Sequence, residues 1–98
     1  MKIKVSKVQE IVKNDMGDLV NDHQIVSPPV SKRFTKSHEV GFQWLWVVFD
    51  ENPEDEDGYL IAYDAVDGFY TLVSKPKGKK YGQILGGWGA FKDTLMGM

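Results

Sequence analysis

The residues with the most capacity for chemistry lie in one stretch, Asp50-Glu51-Asn52-Pro53-Glu54-Asp55-Glu56-Asp57-Gly58. Hard cations need several oxygen ligands in one place, and Asp50, Asn52 and Glu54 alternate as in a calcium-binding loop. The pattern then fails: the sixth position is Asp55 where glycine is required, and the twelfth is Ile61 where glutamate is required. Two readings remain. One is a solvated hairpin loop whose charge discourages edge association. The other is a docking surface for a basic protein partner, with Asp50, Glu51, Glu54, Asp55, Glu56 and Asp57 steering the encounter by charge complementarity. Trp44, Tyr59 and Trp88 are then candidate anchors, since tryptophan and tyrosine carry much of the energy at interfaces.

Other residues offer less. His23 and His38 each neighbour a carboxylate, but adjacent residues in an irregular segment seldom aim at one substrate. Neither belongs to a zinc-binding pair, and the chain has no cysteine, hence no thiolate nucleophile and no disulfide. The serines lack a nucleophile-elbow context, and Gly82, Gly86, Gly87 and Gly89 match no phosphate-binding loop. No catalytic residue, metal or cofactor is therefore assigned. The alternative function is a small ligand-binding domain or enzyme with a pocket near the glycine-rich turn around Trp88.

Charge is segregated along the chain. The 98 residues carry a net charge of −2, but residues 1–47 hold +2, residues 48–68 hold −8 and residues 69–98 hold +4. Two basic clusters, Lys32-Arg33 with Lys36 and Lys75-Lys77-Lys79-Lys80, raise nucleic-acid binding, with aromatic faces available to stack bases. A pI of about 5.6 and the acidic loop argue against it, so no nucleic acid is expected as a partner. No apolar run approaches the roughly 18 residues of a membrane span, and the first ten residues lack the apolar core of a secretory signal. A chain free of cysteine is expected in a reducing cytoplasm.

The elements that must position these groups read as one α+β domain over residues 1–98. Ser6 and Gln9 suggest a capping box, and Val5, Val8, Ile11 and Val12 recur at helical spacing. The helix is expected through about Lys13, with an extension to residue 20 left open. Asn21 to Gly41 is polar and turn-rich; His23-Gln24-Ile25-Val26 could form a short strand, and Ser27-Pro28-Pro29 cannot lie inside a helix. Strands follow at 42–49, 59–63, 69–73 and 81–85, separated by short turns. That order implies a four-stranded antiparallel meander, flanked by the N-terminal helix and a short C-terminal helix in which Phe91 and Leu95 share a face. Phe42, Trp44, Trp46 and Val48 share one strand face by alternation, read as core packing against the helices or else as an aromatic binding surface. Oligomeric state stays open, because Tyr81–Leu85 reads as an edge strand able to pair with a second copy.

Several of these stretches carry a resemblance. Leu19–Phe34 with its Ser-Pro-Pro entry, Trp44–Phe49, Asp57–Asp64, the Asp67-Gly68 turn and Gly89–Leu95 are similar to a family of small uncharacterised bacterial proteins. More distantly, the order of helix, proline-containing loop, strand meander and C-terminal helix resembles the SUKH-type immunity superfamily. The resemblance implies an α+β domain that binds and neutralises a toxin, often a nuclease, and an acidic patch suits the basic surface of such an enzyme.

Overall fold

The structure is a computed structural model and describes residues 3–36 and 40–98; His38 lies outside the described residues. Helix α1 spans Val5–Met16 and buries Val8, Val12 and Met16, which stand four apart on one face. It begins earlier than the Ser6 capping box implies. The carbonyl of Lys4 accepts from the N–H groups of Lys7 (3.0 Å) and Val8 (3.1 Å), so Ser6 already lies in the first turn. The Gln9 amide donates instead to Ser27 Oγ, 3.2 Å away. The helix stops at Gly17, whose φ of 50° needs no Cβ to be accommodated and whose N–H closes on the Lys13 carbonyl.

After a short 3-10 turn at Asp22–Gln24, five strands follow: β1 (Ile25–Thr35), β2 (Phe42–Asp50), β3 (Tyr59–Asp64), β4 (Phe69–Ser74) and β5 (Gly82–Gly89). Helix α2 (Phe91–Met96) closes the order. The α+β class, the antiparallel sheet and both terminal helices are as expected from sequence, but the sheet has five strands rather than four. The additional strand is β1, and it closes the sheet into a barrel by pairing antiparallel with β2 and parallel with β5.

The physical reason β1 is hard to read is its two prolines. They are tolerated because the strand bulges between Ile25, opposite Phe49, and Val30, opposite Val47. Five steps on β1 thus face two on β2, and Ser27-Pro28-Pro29, with a cis Ser27–Pro28 bond, fall where no ladder hydrogen bond is required. Beyond the bulge the register with β2 is unbroken from Val30 to Thr35, but only Phe34 is buried.

Two apolar clusters result. Phe34, Leu45, Val47, Leu60, Ala62, Val73 and Ile84 fill the barrel interior. On the outside, Val48, Phe49, Ile61, Tyr63 and Tyr70 pack against Val8, Val12 and Met16 of α1 and Phe91 of α2. A second bulge between Val47 and Phe49 lets β2 present consecutive apolar residues to both clusters, as its doubly apolar second half suggests. The helices cover only that half. Trp46 is half-buried against them, whereas Phe42 and Trp44 stay exposed. The expectation of a single core-facing aromatic stripe therefore holds for one of the two tryptophans.

Tyr70 joins the layers. Its buried phenol donates a 2.7 Å hydrogen bond to Asp15 Oδ2 on α1 and its ring meets Tyr63 and Phe91. Burial first, then the hydrogen bond to Asp15 and that residue's charge, push its pKa above the ordinary 10.0; burial and Asp15 push Tyr63 the same way. The folded state holds these protons at a pH where the unfolded chain releases them. The associated stability is complete below about pH 10 and is lost as pH rises beyond it. Tyr70→Phe should cost about 1–2 kcal/mol at neutral pH and flatten the alkaline decline. Urea unfolding at neutral pH and above pH 10 reads both, and an unchanged alkaline slope would contradict the assignment.

Candidate functional site

The acidic loop joins β2 to β3, and several of its own carboxylates close its turns. Asp50 Oδ1 accepts from Asn52 N–H (3.0 Å) and Asp55 Oδ1 from Asp57 N–H (3.1 Å), two side-chain-closed turns. Glu51 Oε1 accepts from Tyr59 N–H at 3.1 Å, so the loop's ends are clipped together. Gln24, from the 3-10 turn, donates to the Glu51 carbonyl at 3.0 Å.

One cation organises the whole loop. Lys75, just past β4, places Nζ 2.8 Å from Asp50 Oδ1 and 2.7 Å from each of the carbonyl oxygens of Asn52 and Asp55. All three ammonium protons are thus used, and the side chain is only 10% exposed. Lys77 adds an exposed pair with Asp57 at 3.5 Å. The segregation of −8 and +4 along the sequence is therefore partly undone in space, because the basic β4–β5 turn lies against the acidic β2–β3 loop. Of the six loop carboxylates, Asp50 and Asp57 pair with these lysines, and Glu51 and Asp55 accept backbone N–H groups of the loop and of Tyr59. Glu54 and Glu56 are exposed, and their side chains have no hydrogen bond or ion pair with the described residues. Among the described residues no three acidic or histidine side chains converge as a metal ion would need.

The candidate anchors are not brought together. Tyr59, 41% exposed, follows the loop directly. Trp44 stands six residues before Asp50 on β2, about 20 Å away at the usual rise of an extended strand. Trp88, 45% exposed, borders a concavity of about 400 Å³ formed by β5 and α2.

Trp44 belongs instead to a cluster that sequence reading did not assemble. Arg33 on β1 is directly opposite Trp44 in the β1–β2 register, and Thr35 is opposite Phe42. The Arg33 guanidinium lies 5.0 Å from the ring centre of Tyr81, 5.4 Å from that of Phe42 and 5.5 Å from that of Trp44. It donates to Tyr81 Oη at 2.7 Å. Phe42 and Tyr81 meet edge to face, with centroids 4.8 Å apart, and Lys80 Nζ stands 5.5 Å from the Tyr81 ring. Among the described residues no carboxylate pairs with Arg33. Both ingredients were visible as a basic dipeptide and an aromatic run; only the register of β1 brings them together.

Asp64 is buried and structural. Its Oδ1 accepts from the N–H groups of Val66 and Asp67 in the β3–β4 turn, and its Oδ2 accepts from the Gln43 amide at 3.1 Å. His23 is exposed in the 3-10 turn. No helix among the described residues is long and apolar enough to cross a membrane. Comparison with protein-family models, curated proteins and solved structures finds no match to this chain.

Proposed function

We propose that the protein is a non-catalytic, cytoplasmic protein-binding module of the toxin-neutralising, immunity-like kind, and that its acidic loop meets a basic protein partner. The observation that supports this reading is the preorganisation of the loop. Lys75 and the two side-chain-closed turns hold it in one shape, so little conformational entropy remains to be lost on docking. Glu54 and Glu56 project from that frame with their charge uncompensated by the described residues, and Tyr59 supplies an adjacent aromatic contact.

The test is charge reversal at positions that support nothing else. Glu54→Lys with Glu56→Lys should leave the fold intact and slow association with a captured basic partner by about tenfold or more at low salt. The salt dependence of the rate should fall with it. Equal rates and equal salt slopes for variant and wild type would sink the reading.

A second reading, a small-ligand site, is favoured by the concavity beside Trp88. It ranks lower because its lining is mostly glycine and apolar, with Asp93 and Thr94 its polar side chains besides the Trp88 ring. The Thr94 hydroxyl lies 3.0 Å from the Ala90 carbonyl and 3.5 Å from that of Gly87, and is thereby occupied.

A further inference from the structure

The β4–β5 turn has two unlike sides. On one, Lys75 and Lys77 line a concavity at the barrel mouth together with Asp50, Asp55 and Glu56. On the other, the same lysines join Lys79, Lys80, Tyr59 and Tyr81 around a concavity of about 540 Å³ whose lining contains no carboxylate. Tyr81 links that second concavity to the exposed cluster of Arg33, Phe42 and Trp44. The outer wall of the barrel at this point is a continuous surface of rings and cations.

We propose that this surface binds single-stranded nucleic acid. Such a ligand needs flat apolar faces for its bases and a track of cations for its phosphates, side by side and both open to solvent. Trp44, 63% exposed, offers the largest ring of the cluster, and the exposed Arg33, fixed by its contacts with three rings and by the Tyr81 hydroxyl, adds a planar cation beside it. Lys77, Lys79 and Lys80 line the path the backbone would follow toward Tyr59. The acidic loop, which in the sequence argues against phosphate, reaches this concavity only through the backbone of Gly58, and its Asp50 and Asp57 carboxylates are paired with Lys75 and Lys77, which leaves Lys79 and Lys80 as the cations without a carboxylate partner among the described residues. Duplex is the poorer ligand, because its bases are already stacked on one another and cannot reach the rings.

The proposal goes beyond the acidic-loop reading: Tyr59 and Lys77 border both surfaces, whereas Arg33, Trp44, Lys79, Lys80 and Tyr81 serve only this one. Fluorescence anisotropy with labelled oligo-dT and oligo-U of about 12 nucleotides, within the range small barrels track, tests it on the full chain. Binding should weaken about tenfold between roughly 50 and 200 mM salt, as release of a few counterions requires. Trp44→Ala should weaken it about tenfold with the salt slope retained. Lys79→Glu with Lys80→Glu should weaken it and lower the slope. A preference for oligo-dT or for oligo-U identifies DNA or RNA as the ligand, and either supports the proposal. Thermal melts confirm that these exposed-site variants fold. Glu54→Lys with Glu56→Lys should preserve or tighten oligonucleotide binding, so failure of one reading is separable from failure of the other. The proposal is overturned by absence of binding at low salt, by equal binding of duplex or of polyglutamate, or by indifference to Trp44→Ala. It is also overturned if the face proves to be covered by a second copy, seen as self-association abolished by Trp44→Ala.

Discussion

Gly82→Ala should destabilise the protein by about 3 kcal/mol or more, at the upper end of what overpacking costs. The first β5 residue pairs with Phe34 across the parallel seam that closes the barrel. A Cβ built there would overlap the backbone carbonyl oxygen of Ser74 and stand 3.1 Å from two atoms of the Phe34 ring. Neither neighbour can yield easily. Ser74 is held because its hydroxyl accepts from the Gln83 N–H at 2.9 Å, and Phe34 is buried at the centre of the interior cluster. A single methyl group thus forces β4 away from β5 or tips Phe34 out of the barrel. Urea unfolding measures the cost, and Gly89→Ala, where a Cβ meets nothing within 4 Å, is the matched control. Equal stability of the two variants would refute the close-approach argument.

Lys75→Met should cost about 3 kcal/mol, because it keeps the buried stem and removes the ammonium that Asp50 and two carbonyls surround. Breaking one side of a largely buried ion pair leaves the other charge desolvated without compensation. The loss is expected to be local in its dynamics: amide exchange should accelerate across 50–58 before it changes in β4. Asp50→Asn with Lys75→Met should recover part of the stability, since the orphaned charge is then removed as well. If the double variant is no more stable than Lys75→Met, the pair is not the organising contact described here.

The strands that could be read from sequence are those whose information is local. β2 to β5 combine rings and β-branched residues with turns of suitable composition, and each pairs with its neighbour in the chain. β1 carries its information elsewhere. Its prolines argue against a ladder, only Phe34 past the bulge is deeply buried, and its parallel partner β5 lies far along the chain. The N-terminus of α1 differs from its sequence signal for a related reason, since Ser6 and Gln9 satisfy the spacing of a capping box while Lys4 takes the N-cap position first.

The candidate site was legible as charge and not as geometry. A run of carboxylates is conspicuous, yet its shape is set by Lys75, about twenty positions later. The signal for that contact was present in the meander itself: alternate turns of an up-and-down sheet fall at the same end, so the β2–β3 loop and the β4–β5 turn must be neighbours. Arg33 and Trp44 required more, because their meeting depends on a strand that composition does not announce and on a register that a bulge resets.

Five is an odd number, and that parity has a mechanical consequence. The first and last strands of an odd meander run in the same direction, so the chain enters the barrel beside Phe49 and Asp50 and leaves it from Gly89, opposite Tyr70 at the other pole. Tension applied to the two chain ends, once α1 and α2 had peeled away, would draw β1 and β5 past each other along their length. Their shared hydrogen bonds would be loaded together in shear rather than opened one after another like a zip. The short seam at Phe34 and Thr35 would bear that load first, with every hairpin of the meander still intact behind it.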